Sequence, residues 1–513
     1  MQGNGAWWGV RITKQGEMNM KRFILLCVFM LLSVSVFAQS RTEALLRYQQ
    51  RRTEALKQYQ ENRRAAYADY MRKRWEAYTV ESPEELPMRV EPDEPVVKQP
   101  KDEPSQVEDL KPQEDKGAKE DKGELPGGIK SEITIPVPEK IEEPKEVVTT
   151  PPAKSDGMRF NFYGAECEVA FNKKNRFTLR SIDENSVADA WLQMDNAAYD
   201  ALIADSKSIK SRLELNDWGY NLLVKQVAEE ICGKESNEAV VLRAYLLGES
   251  GYKMRLARGN DRLWLLVASQ QQIYGRPFIS VGGEKFYIFD TMPANMGLNV
   301  CNKSIDAEQA LNFKMPVPPA LPYVKGKSFA RNNPRNGDVL NVVPNANLTA
   351  FYSQYPQCDW AIFAETSFSE MVYLQLLGPL QKMVANKGEK DALQSILTMI
   401  QYSFPYKNDA QQFGRERTFF ADEMFAYMYS DCEDRSILFC RIVKDILNLD
   451  AVLLYYPEHI AAAVHLHESV EGDSVMFGNK RYMLCDPTYT GGDVGEVNHE
   501  FKGMKPISII EVE

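Results

Sequence analysis

The chain has 513 residues, 44% of them hydrophobic, and a formal net charge of −11. That length and apolar content exclude a wholly disordered chain and allow two or three separate cores. The acidic balance, with no DNA- or RNA-binding motif beside the basic residues, excludes a nucleic-acid-binding domain.

In chain order, Met20-Lys21-Arg22 precedes an apolar run from Phe23 to Val36, and "VFAQS" supplies Val36 and Ala38 for signal-peptidase cleavage after Ala38. Residues 1–38 are read as an N-terminal extension with a signal peptide from about residue 20, which makes the protein exported, periplasmic or secreted. An uncleaved membrane anchor is the alternative, because the run nearly reaches spanning length. Export permits disulfides, and seven cysteines follow Ala38, so at least one thiol is unpaired within a monomer. Neither CxxC nor CxxxH spacing occurs, which argues against structural zinc; no metal and no cofactor is expected.

Residues 39–78 form the next segment. "TEALLRYQQRR", "TEALKQYQENR", "RAAYADYMRKR" and "WEAY" repeat every eleven residues from Thr42, and eleven residues make three helical turns. Ala44, Leu45 and Tyr48, with their repeats, therefore form one apolar-aromatic stripe along a basic helix. A stripe that narrow calls for a partner: self-association of residues 42–78 as a right-handed coiled coil, or docking onto another protein or an anionic surface of the cell envelope. Residues 79–157 hold 13 of the 27 prolines among Glu and Lys and lack aromatics, a composition that cannot bury a core and predicts a disordered, extended linker.

Folded sequence resumes over 158–345. The pattern predicts a helix after Asn216, a second near 237–248, and strands at 252–259, 262–269 and 285–290. Residues 346–513 repeat that order, with helices at 390–403 and 432–447 and strands at 450–456, 459–467 and 480–486. "GGEKFYIFD" (282–290) also lies over "GNKRYMLCD" (478–486) without a gap. The expectation is a tandem of two related α+β domains; the alternative is two unrelated domains that share a hairpin signature.

The second domain carries the chemistry. In "YSDCEDRS" (429–436), Ser430 and Glu433 fit an S-x-x-E capping box, which predicts that a helix begins at Asp431–Cys432 and presents Cys432 to solvent in its first turn. There the helix dipole favours a thiolate, while Glu433 and Asp434 oppose it, so a cation is required nearby. A histidine would serve as both ion-pair partner and base. His459, opening a strand, is assigned that role, and Asp486, ending the strand that follows, is the acceptor that would orient it. His465, roughly 20 Å from His459 along an extended strand, and His467 are read as strand-surface residues.

"DCEDRSILFCRIV", "HIAAAVHL" and "KRYMLCDPTY" resemble the Cys, His and Asp segments of the transglutaminase-like superfamily, which has the papain-like cysteine-protease fold. The resemblance spans about 350–495 and is strongest to exported proteins of Bacteroides-type bacteria. It implies Cys432 as nucleophile, His459 as base and Asp486 as orienting acid, acting on a protein or peptide substrate. The sequence departs from the family at Ile460-Ala461, where an aromatic usually follows the histidine, and no side-chain oxyanion donor is assignable among Tyr427, Tyr429 and Gln412. In the first domain Asn237 or a neighbour stands for Cys432 and about Asp261 for His459; only Asp290 mirrors Asp486, so that copy is expected to be degenerate. The expected function is a thiol-dependent amide hydrolase, a cysteine peptidase or amidase. A cross-linking transglutaminase and a non-enzymatic envelope-binding protein are the alternatives.

Overall fold

The computed structural model describes residues 45–86, 94–98, 157–293, 295–303 and 309–512. The expected N-terminal extension and signal peptide, residues 1–38, and most of the expected linker, 87–93 and 99–156, lie outside the described residues. The chain divides into two compact units, one through Asp69 and one from Tyr70 onward. Helix α1 is described from 45 to 71. Leu45, Tyr48, Leu56 and Tyr59 of the repeat stripe are exposed along it.

The helix expected to reach residue 78 stops at 71. Trp75–Thr79 is instead a strand, β1, antiparallel to β8 (Gly297–Cys301), with Trp75 opposite Cys301 and Thr79 opposite Gly297. The reason is a two-residue alternation hidden inside the eleven-residue frame: Tyr78 and Val80 point the same way and pack into the core behind the sheet. The start of the expected linker is ordered as well. Val80 N–H donates to Met296 at 3.0 Å and Glu81 N–H to Phe278 at 2.8 Å, while Lys285 pairs with Glu84 at 2.6 Å. Further on, Lys98 pairs with Asp493 at 3.0 Å.

After the hairpin β2 (Met158–Phe162) and β3 (Ala165–Val169) come helices α2 (Glu184–Gln193), α3 (Ala197–Arg212), α4 (Asp217–Cys232) and α5 (Asn237–Glu249). Strands β4 (Met254–Gly259), β5 (Arg262–Ala268), β6 (Phe278–Val281) and β7 (Glu284–Tyr287) then lead to β8. The short pair β9 (Arg331–Asn332) and β10 (Val339–Leu340) precedes helices α6 (Ala346–Tyr352), α7 (Trp360–Glu365), α8 (Glu370–Val384), α9 (Glu389–Ser403), α10 (Asp409–Phe413) and α11 (Cys432–Ile442). The last strands are β11 (Ala451–Tyr456), β12 (His459–His465), β13 (Ser474–Phe477), β14 (Lys480–Cys485) and β15 (Ser508–Glu511). The fold is mixed helix and sheet.

The two large sheets share one strand order. The first runs β6-β7-β5-β4-β8-β1 and the second β13-β14-β12-β11-β15, with every pair antiparallel. Strands β6, β8, β13 and β15 add to the three foreseen in each half. Tight turns set the register: Asn260 and Asp261 both take positive φ between β4 and β5, as do Gly282 and Gly283 between β6 and β7. In each half one helix crosses the sheet, α5 on β4 and β5, α11 on β11 and β12. Helix α11 also meets α7, α9 and the 421–425 turn, so all eleven of its residues are buried. Its sequence foretold one apolar face; enclosure on every side buries its charges too.

Candidate active site

His459 and Asp486 meet. His459 opens β12, Asp486 follows the end of β14, and Nε2 of the imidazole lies 2.8 Å from Oδ2 of the carboxylate, both side chains buried. The other carboxylate oxygen accepts the N–H groups of Thr488 at 2.8 Å and Tyr489 at 3.1 Å. Burial alone would raise the Asp486 pKa, but His459 and these two amides hold it below the ordinary carboxylate range. With Nε2 engaged, Nδ1 is the imidazole nitrogen left for a reacting group.

Cys432 is the first residue of α11, as the sequence predicts. One helical turn on, the Ser436 hydroxyl donates to the carbonyl of Ile460 at 3.0 Å, which ties the start of α11 to the residue next to His459. The capping expectation is corrected. Asp431 is the N-cap residue without a side-chain cap bond, Ser430 Oγ accepts from Arg435 Nε at 3.4 Å, and Glu433 Oε2 lies 3.5 Å from the Cys432 thiol, which donates to it. Presentation of Cys432 to solvent is corrected too: its exposure is 0%. All seven cysteines after Ala38 are buried, and none of them is in a disulfide.

A cation stands near Cys432 on its own helix. Arg435, 1% exposed, lies in the first turn of α11. Burial lowers its pKa to about 10, against the pull of Tyr406, Asp431, Asp486 and Cys432, so it is charged at neutral pH. Its spacing of three from Cys432 puts both on one side of the helix, a signal present in the sequence.

Two other residues were missed for want of any local signal. Phe501 stacks on the His459 ring, centroids 5.1 Å apart and planes 6° from parallel, and itself stacks on Tyr456. Phe501 lies 42 residues beyond His459 in the chain. Gln401 on α9 donates to the carbonyls of Asp486, Tyr489 and Gly492 at 3.1, 2.8 and 3.1 Å and so fixes the loop that carries Asp486.

Acids crowd the start of α11. Asp409, Asp431 and Glu433 bring carboxylate oxygens within 4.8 Å of one another, a spacing that a divalent cation could share. Burial, with Asp434 and Glu433 nearby, pushes the Asp409 carboxyl well above the ordinary carboxylate range, which favours its protonated form. Of the suggested oxyanion donors, Tyr427 stacks on Phe419 beside Arg417, and the Tyr429 ring faces Lys407. Gln412 lies on α10. His465 and His467 are taken up elsewhere, by the Arg481 carbonyl and by Glu389, both at 2.9 Å. In the first half, the residue that opens the strand matching β12 is Arg262; the expected Asp261 lies one residue earlier, in the turn.

No family model matches the chain, and no curated protein or solved structure matches it.

Proposed function

We propose that residues 346–513 form a transglutaminase-like domain of papain-like type that hydrolyses amide bonds with Cys432 as nucleophile, His459 as base and Asp486 as orienting acid. The observation that carries this reading is the buried His459–Asp486 pair at 2.8 Å, beside the strand residue to which the first turns of α11 are hydrogen-bonded. Asp486 is fixed by two backbone amides and Gln401, so it holds the imidazole with its proton on Nε2 and leaves Nδ1 as the base. Nδ1 takes the thiol proton as sulfur bonds to the amide carbonyl carbon. The imidazolium then protonates the leaving nitrogen as the C–N bond breaks. Water attacks the thioester, giving its proton to His459, and the carboxylate leaves as the thiol is restored. Arg435 adds positive charge in favour of the thiolate. An amine in place of water would make the same site a transglutaminase.

The complete burial of Cys432 favours a second reading, a non-enzymatic binding protein whose thiol is a core residue. Treatment of the native chain with an electrophilic peptide amide mimic, followed by mass spectrometry, separates the two. Catalysis predicts selective labelling of Cys432 near pH 7, slowed at least tenfold in His459→Ala. Labelling that appears only on unfolding, or is indifferent to His459, refutes it.

A further inference from the structure

The first half holds a cavity of about 220 Å³ at the place that corresponds to the candidate active site of the second. Sheet register defines the correspondence. Arg262 opens β5, paired with Gly259 across a two-residue turn, as His459 opens β12, paired with Tyr456. Val267 pairs with Tyr287 and Val464 with Met483, and three residues beyond these partners stand Asp290 and Asp486. Asn237 and Cys432 begin the helices that cross the two sheets. The nucleophile and base are replaced, yet the space remains.

Its charges are specific. Asp290 pairs with Lys225 at 3.0 Å and with Arg243 at 3.4 Å. Burial would raise the Asp290 pKa, but Arg243, Lys225 and Arg262 together hold it low, and with Glu229 and Glu235 the lining sets three carboxylates against three cations. Arg243 is 5% exposed, and its Nε–H has no hydrogen-bond partner among the described residues; the Nε–H of Arg262 is likewise unpaired. Both Nη groups of Arg243 are engaged, by Asp290 and by Asn221 at 3.0 Å, which leaves Arg262 as the guanidinium whose planar N–H fork can match a carboxylate's two oxygens. The wall also contains Glu229 and Glu235, which oppose a dianion such as phosphate and suit an ammonium group. Val240 and Phe289 offer apolar surface for a short side chain.

We propose that this cavity binds the free α-carboxylate of an amino-acid-sized ligand, either a free amino acid or the C-terminal residue of a peptide. The inference does not depend on Cys432, and its test is run in the Cys432→Ala chain, so that failure of either reading leaves the other standing. Titration calorimetry is carried out with L-alanine, L-alanyl-L-alanine, the same dipeptide as its C-terminal amide, and orthophosphate. The dipeptide acid is expected to bind at least tenfold more tightly than its amide and than phosphate. Arg262→Gln, at a partly exposed position, is expected to lose at least tenfold in affinity for the acid with an unchanged melting temperature in the absence of ligand. Tenfold in affinity is about 1.4 kcal/mol. Alanine binding as tightly as the dipeptide assigns the free amino acid; tighter dipeptide binding assigns the peptide terminus. No binding of alanine or the dipeptide acid at millimolar concentration, equal binding of acid and amide, or an Arg262→Gln chain that binds as before overturns the proposal.

Discussion

Asp486→Asn is the sharpest perturbation of the proposed triad, because it removes a charge while leaving the local architecture nearly intact. Asp486 uses Oδ1 for the amides of Thr488 and Tyr489, at 2.8 and 3.1 Å, and Oδ2 for His459 Nε2, at 2.8 Å. An asparagine keeps the first oxygen in place, so the loop bonds survive. Its NH₂ group replaces the second, and an NH₂ cannot accept a proton from Nε2. The imidazole must then turn Nε2 into the acceptor and carry its proton on Nδ1, the nitrogen needed as base. One charge-assisted hydrogen bond is exchanged for a neutral one, a stability cost of about 1–3 kcal/mol. Catalysis suffers more: a wrong tautomer in a triad of this kind costs about 10⁴ in turnover. The accessible measurement is the second-order rate of Cys432 alkylation by iodoacetamide between pH 5 and 9, read by intact mass, beside a melting curve. At pH 7 the variant is expected to react at least tenfold more slowly, since about 1.4 kcal/mol of lost thiolate stabilisation shifts the thiol by one pKa unit. A melting temperature close to the parent's with alkylation unchanged at every pH would refute the reasoning.

Phe501→Ala removes the ring stacked on His459 and Tyr456; being half-buried, it should cost about 2 kcal/mol in stability. It should also slow alkylation of Cys432, and Phe501→Tyr should restore both, as thermal melts and the same kinetics would report. Asp422 and Glu423 govern the pH dependence of stability. Burial raises Asp422 from 3.8 to about 6, against the N–H of Ser369, and raises Glu423 from 4.5 to about 7, against Arg417. The unfolded chain releases these protons near pH 4 while the folded chain keeps them. Their contribution is therefore complete below about pH 4 and is lost as pH rises through 6 and 7; for Asp422 it amounts to about 3 kcal/mol. Denaturant melts should accordingly show stability falling from pH 4 to 7, and Asp422→Asn, which preserves an acceptor for Ser369, should flatten that slope. Asp409→Asn tests the acid cluster. If the carboxyl is protonated at neutral pH, the amide is close to isosteric and the melting temperature should stay within a few degrees, whereas bound cation would make Asp409→Asn lose a calcium-dependent rise in melting temperature.

The positions of the three candidate residues were legible because each has a local signature. A cysteine at a helix start, a histidine opening a strand and an Asp-Pro closing another are marks of short-range geometry, and the chain places Cys432, His459 and Asp486 at those three positions. Alternation and turn residues likewise gave the central strands of both halves, since period and turn chemistry act over a few residues. Strand β1 was misread because the same residues satisfy an eleven-residue helical repeat and a two-residue strand alternation, and pairing with β8, more than 200 residues away, decides between them. The cap at Ser430 was misread for a similar reason: Arg435, enclosed from every side, claims the hydroxyl that a solvent-exposed helix would have used for itself. Sequence by itself determined on which kind of element each candidate residue sits. Only the tertiary structure decided that Phe501 and Gln401 serve the same site, that the thiol is buried, and that Arg262 and Arg243 line a charged cavity in the other half, because burial and long-range contact depend on what the rest of the chain packs against each residue.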